Sequence, residues 1–123
     1  MQAENKIAAV YCRVASKNDF AIERQRYSLN RFAESKGYND RTEYLDNGVN
    51  GLTLDRPAFK MLNAYIADGI IQTVFIKCFS RIGRNTHQVY AWLNMARDLG
   101  VEVISECDDI GDGIFEVMQY LTS

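Results

Sequence analysis

The sequence predicts an α/β fold: three layers, with helices on both faces of a mainly parallel central sheet. Short apolar runs of the kind buried on both sides occur at residues 7–14, 73–77 and 101–105. Between them lie segments with apolar residues at helical spacing, opened by capping residues and closed by glycine. Strands alternating with helices form a parallel sheet, and such sheets place ligand chemistry at the carboxyl ends of their strands.

The first strand, residues 7–14, is too short for a typical helix and runs out into Tyr11, Cys12 and Arg13. From Asn18 or Asp19, either a good N-cap, Ile22, Leu29, Phe32 and Ala33 follow helical spacing up to Gly37. Gln25 shares a face with Phe32, so its carboxamide needs a partner, either as a structural cap or in a site. Residues 42–45 make a weak short strand. The run DNGVNG then packs two Asn-Gly pairs into residues 46–51 and reads as turn or mobile loop. A second helix starts at Asp55, with Pro57 in its first turn, buries Phe59, Leu62 and Ile66, and stops at Gly69. After the third strand and the segment CFSRIGR, Asn85 with Gln88 resembles a capping box. Val89, Trp92, Leu93, Ala96 and Leu99 form the stripe of the helix that follows, which ends at Gly100. In the tail, Ile114, Val117, Met118 and Leu121 outline a helical face cut off after about two turns.

At 123 residues and 47% apolar content the chain fits one domain with its own core. It shows no signal region, and its apolar runs are far too short to span a bilayer, so a cytoplasmic protein with no membrane partner is expected. Cys12, Cys78 and Cys107 are odd in number and in no CxxC pattern. Neither a disulfide framework nor a zinc site is indicated, and each reads as a small buried hydrophobe.

Fourteen basic residues against sixteen acidic leave a formal net charge of −2, so any polyanion must be held by a local cluster. One is available. Arg13 ends the first strand, Lys77, Arg81 and Arg84 follow the third, and Arg56 opens a helix, so all converge at one sheet edge. Planar guanidinium groups suit the non-bridging oxygens of a phosphate; the competing reading pairs each with a surface carboxylate. No GxGxxG or GxxxxGK[ST] follows the first strand, which excludes the usual dinucleotide and P-loop sites. The strand lacks the acidic end that a magnesium-dependent response regulator requires. His87, the sole histidine, sits at a helix start and reads as a solvated first-turn residue rather than part of a Ser-His-Asp relay.

Five segments in order, YCRV at Tyr11 to Val14, IERQ at Ile22 to Gln25, YLDNGVNG around Asp46, DRPAF at Asp55 to Phe59 and SRIGRN at Ser80 to Asn85, resemble the catalytic domain of the serine recombinases, the resolvase/invertase family. The likeness runs from about Ile7 to Asp109 and is greatest to the large-serine-recombinase or conjugative-transposon branch. It implies a flavodoxin-like (resolvase-type) domain over residues 1–123, with a long C-terminal dimerisation helix begun by the tail and a DNA-binding region beyond Ser123. Such domains cut double-stranded DNA recombination sites through a 5′-phosphoserine intermediate and act as dimers that assemble to a tetramer. They need no metal, nucleotide or other cofactor, because the covalent link keeps the phosphodiester energy.

Carried over residue by residue, the resemblance implies that Arg13, Arg56, Arg81 and Arg84 hold the reacting phosphate. Asp46 would transfer a proton or orient an arginine, and Tyr11, Gln25, Lys77 and Asn85 would support the cluster. The nucleophile is the point of departure. The family pattern Tyr-x-Arg-Val-Ser puts its serine where this chain has Ala15, and Ser16 follows. Three readings compete: Ser16 attacks from a turn shifted by one residue; the domain is a catalytically dead DNA-associated or oligomerisation module; or Cys12 attacks, although it alternates to the side opposite Arg13. A small-molecule phosphate-binding domain of the same fold is the reading from outside nucleic-acid biology.

Overall fold

The computed structural model describes residues 7–49 and 56–107. Four strands, β1 (Ile7–Val14), β2 (Arg41–Asn47), β3 (Ile71–Ile76) and β4 (Glu102–Ser105), form one sheet in the order β2-β1-β3-β4. Every neighbouring pair is parallel. Helices α1 (Asp19–Ser35), α2 (Pro57–Ala67) and α3 (Thr86–Asp98) make the crossovers, and a short 3-10 turn, Phe79–Arg81, lies between β3 and α3.

Strand alternation divides the core. Ala8, Val10 and Cys12 point to one face and pack with Ile22, Leu29 and Ala33 of α1. Ala9 and Tyr11 point to the other and pack with Phe59 and Leu62 of α2 and with Val89, Trp92 and Leu93 of α3. Right-handed parallel crossovers require this division: the chain moves outward from β1 to β2 through α1, then back across the sheet through α2 and α3.

Local signals set the helix ends. Asn18 caps α1, its side chain accepting from the Ala21 amide at 2.9 Å. Asn85 caps α3 by accepting from the Gln88 amide at 3.1 Å. Helix α2 differs from the sequence expectation: it begins at Pro57, and its N-cap Arg56 makes no side-chain cap bond. The cap comes instead from β2. This strand is longer than the sequence suggested and takes in Asp46 and Asn47, which pair in register with Arg13 and Val14. The loop reading of residues 46–51 is therefore corrected at its start, because a central strand supplies ladder partners that override the turn preference.

The cysteines divide as well: Cys12 is buried and Cys78 half-buried, but Cys107 is exposed because it lies just past the end of β4. His87 is exposed in the first turn of α3. No helix among the described residues is long and apolar enough to cross a membrane. The helical tail expected at residues 114–121 and the Asn-Gly pair at 50–51 lie outside the described residues.

Candidate active site at the carboxyl ends of the strands

Strand β1 outruns β3, whose last register partner is Ile76 opposite Tyr11. At Arg13 the main-chain groups facing β3 have no strand to pair with, and Gln25 of α1 takes them. Its Oε1 accepts from the Arg13 amide at 3.1 Å and its Nε2 donates to the Arg13 carbonyl at 3.3 Å. The buried Gln25 acts as a substitute strand residue and so fixes the point at which Arg13 leaves the sheet.

The Arg13 side chain is only 3% exposed and donates to three carbonyls: Nε to Arg81 and Nη2 to Ser80, each at 3.0 Å, and Nη1 to Val49 at 3.0 Å. Arg56 is fully buried. It donates to the Arg81 carbonyl at 3.2 Å and to that of Ile82, and its guanidinium lies 4.6 Å from the Phe59 ring centroid and 5.6 Å from that of Tyr11. Of the five predicted basic residues, the structure brings Arg13, Arg56 and Arg81 together, with the carbonyl of Arg81 as the centre. What the structure changes is the partner. Cations packed this closely need compensation, and here the carbonyl dipoles of Val49, Ser80, Arg81 and Ile82 supply hydrogen-bond acceptors in place of a phosphate or a surface carboxylate, with the charge of Asp46 also felt at Arg56. Burial, followed by the charge of Arg56, pushes the Arg13 pKa down; burial does the same to Arg56, countered in part by Tyr11 and Asp46.

Arg81 has a divided role. Its main-chain oxygen organises Arg13 and Arg56, while its side-chain Nε is buried with no hydrogen-bond partner. A buried guanidinium nitrogen without an acceptor is expensive, and an arriving anion would relieve it. Arg84 is exposed, and its charge is felt at Arg13.

Asp46 departs from the proton-transfer expectation. Buried to 3% exposure, it accepts from the Ala58 amide at 3.0 Å and the Phe59 amide at 3.1 Å, which caps α2, and from the Tyr11 hydroxyl at 2.8 Å. Both oxygens are committed to the fold, and the same bond explains Tyr11: burial above all, with Asp46 adding to it, pushes the phenol far above its ordinary range. Two of the residues expected to support a phosphate are placed otherwise. Asn85 spends its side chain on the α3 cap, and Lys77 pairs with Glu106 at 3.5 Å.

Ala15 and Ser16 lie exposed in the bend between β1 and α1, immediately after the Arg13 anchor. That bend is stapled to the end of β2. The Asn18 amide donates to Asn47 Oδ1 at 2.9 Å, Asn47 Nδ2 donates to Asp19 at 2.8 Å, and the amides of Gly48 and Val49 reach the Val14 carbonyl. Gly48 has φ +87°, and a Cβ there would lie 2.9 Å from the Lys17 amide nitrogen. The Asn-Gly pair thus clamps the serine-bearing bend. Sequence reasoning did not single out Asn47 as a positioning residue, although a side-chain amide beside a glycine was the signal for it. Among the described residues, no group of three or more His, Cys, Asp or Glu side chains is placed to hold a metal ion.

Comparison with known proteins bears on the family and the fold. The family model "Resolvase, N terminal domain" matches residues 8–121. Among solved structures, the N-terminal catalytic domain of TP901-1 integrase superposes with a TM-score of 0.82 at 23% identity, covering 95% of this chain and 94% of that one. A resolvase family site-specific recombinase from Streptococcus pneumoniae gives 0.80 at 23% identity, over 95% and 85% of the two chains. The C-terminal catalytic domain of ISC1926 TnpA, an IS607-like serine recombinase, gives 0.74 at 23%, over 94% and 78%. No curated protein matches the chain. These structural likenesses are of fold, and the family match spans nearly the whole sequence: the chain belongs to the resolvase family, as a serine recombinase catalytic domain of the three-layer α/β type.

Proposed function

We propose that this domain cleaves and rejoins DNA strands through Ser16. The hydroxyl oxygen attacks the phosphorus of a backbone phosphodiester and gives up its proton, the bond to the 3′ oxygen breaks, and that oxygen takes up one proton to leave as a hydroxyl, so the step is proton-neutral. A 5′-phosphoserine link remains, and reversal onto a new 3′ hydroxyl rejoins the strand. Arg13, Arg56, Arg81 and Arg84 are the groups that would stabilise the charge gathered on the phosphoryl oxygens. The reaction needs two DNA sites held together, for which a dimer assembling to a tetramer is the proposed form.

The observation that carries this reading is the convergence of Arg13 and Arg56 on the Arg81 carbonyl, with the exposed bend that bears Ser16 following Arg13 in the chain. In the described arrangement their donors are spent on main-chain oxygens except for Arg56 Nε, which is buried without an acceptor, so phosphate binding would exchange carbonyl partners for phosphate oxygens. A second reading follows from the same fact. With Ala15 at the usual serine position and the Arg13 guanidinium held by main-chain oxygens, the domain would bind DNA without cutting it.

A covalent trap separates the two. The protein is incubated with DNA carrying its recombination sites, digested and mapped by mass spectrometry, beside Ser16→Ala and Ala15→Ser variants. A phosphonucleotide on Ser16 that disappears in Ser16→Ala is the expected result. No adduct from the unaltered protein, with one from Ala15→Ser, would overturn it in favour of the non-cutting reading.

A further inference from the structure

Helix α1 turns an unusual face to solvent. Phe20, Arg24, Tyr27 and Arg31 are spaced by four, three and four residues, which puts them in one stripe along the helix. Phe20 is 72% and Tyr27 59% exposed. The Arg24 guanidinium lies 5.7 Å from the Phe20 ring centroid, and that of Arg31 lies 5.7 Å from Tyr27, whose hydroxyl also accepts from Arg31 at 3.1 Å. Rings left in water contribute little to the core, but under an arginine they restrain a side chain that otherwise samples many rotamers. Neither arginine has an ion-pair partner among the described residues, whereas Arg26 on the same helix is held by Glu23 and Glu43.

The stripe borders a groove of about 470 Å³ lined by Val14, Arg24, Gln25, Tyr27, Lys77 and Arg81. Gln25 and Arg81 belong to the arginine site as well, so groove and site are continuous. On a chain of net charge −2, this run of arginines on exposed rings, without ion-pair partners among the described residues although the charge of Glu34 is felt at Arg31, is a local exception, and a polyanion complements it.

We propose that the groove and the α1 stripe seat the backbone of the DNA duplex leading away from the cleavage site, with Arg24, Arg31 and Arg81 facing its phosphates and Phe20 and Tyr27 holding the stripe arginines in place. The inference rests on the reading that the domain acts on DNA.

The test is fluorescence anisotropy of a fluorescein-labelled mixed-sequence DNA duplex over a series of KCl concentrations. The unaltered chain is compared with Arg24→Gln/Arg31→Gln and with Arg97→Gln, a charge removed from α3 on the opposite face. The double variant is expected to bind more weakly, and its slope of log K against log salt to fall by about 0.9 for each arginine that meets a phosphate. Arg97→Gln should match the unaltered chain. Equal slopes for the double variant and the unaltered chain would overturn the proposal. So would the absence of salt-dependent binding by the unaltered chain, or an effect confined to self-association in sedimentation. The Ser16 adduct is read in parallel, with the same proteins on DNA carrying the recombination sites. An adduct with an unchanged slope sinks the stripe and spares the chemistry; a slope lost on substitution, without any adduct, does the reverse.

Discussion

Asp46 offers the most direct test of how this site is built. In Asp46→Ala, three donors lose their acceptor: the Ala58 and Phe59 amides at the start of α2 and the buried Tyr11 hydroxyl. Loss of a helix cap costs about 0.5–2 kcal/mol. A buried hydroxyl left unpaired costs about 1–3 kcal/mol. The sum is roughly 1.5–4 kcal/mol, since the three bonds share one carboxylate and do not add fully. For a domain of this size a loss of 1 kcal/mol lowers the melting temperature by about 4 °C, so a fall of about 6–16 °C is expected. Tyr11→Phe removes one bond and leaves the cap, and should cost about 1 kcal/mol. In the double variant the two losses should fall short of additivity, because the same contact is removed twice. Thermal unfolding followed by circular dichroism measures all three. An Asp46→Ala protein melting within about 2 °C of the unaltered chain would refute the capping role. If that stable protein also lost DNA cleavage, Asp46 would return to proton transfer.

Other outcomes follow from the same geometry. Gly48→Ala forces a side chain into a left-handed conformation and against the Lys17 main chain, a cost of at least about 1–2 kcal/mol. Its adduct yield should fall even well below the melting temperature, because Lys17 follows Ser16; an unchanged melt and yield would show that the close approach is absent. Arg81→Ala keeps the carbonyl that Arg13 and Arg56 use, so it should fold with an unchanged melt while cleavage drops by about 10²-fold or more. Normal cleavage by that variant would remove the phosphate role of the cluster. Burial pushes the Cys12 thiol up to about 12, so the folded state holds its proton at a pH where the unfolded chain has lost it. Stability should therefore fall as pH rises from about 8.5 toward 12, and less steeply in Cys12→Ala. At neutral pH iodoacetamide should label the exposed Cys107 and spare Cys12, as read by mass spectrometry.

Periodicity and punctuation were enough to locate most of the elements, though not the end of β2 or the cap of α2. The apolar run at Ile7–Val14, the caps at Asn18 and Asn85 and the glycines after α1, α2 and α3 act within a turn or two of chain, so they are legible without knowledge of what lies opposite. The order of elements was enough to place Arg13, Arg56 and Arg81 together, since parallel strands deliver their carboxyl ends to one edge. What only the tertiary structure decided is what each of those groups touches. Asp46 caps a helix twelve residues away because β2 ends beside the start of α2. Gln25 completes a strand because β3 stops short of Arg13. The arginines lie against carbonyls of segments distant in sequence. Hydrogen bonding is a short-range, directional interaction, and its partners are chosen by where the backbone of a remote segment passes, which local composition does not encode.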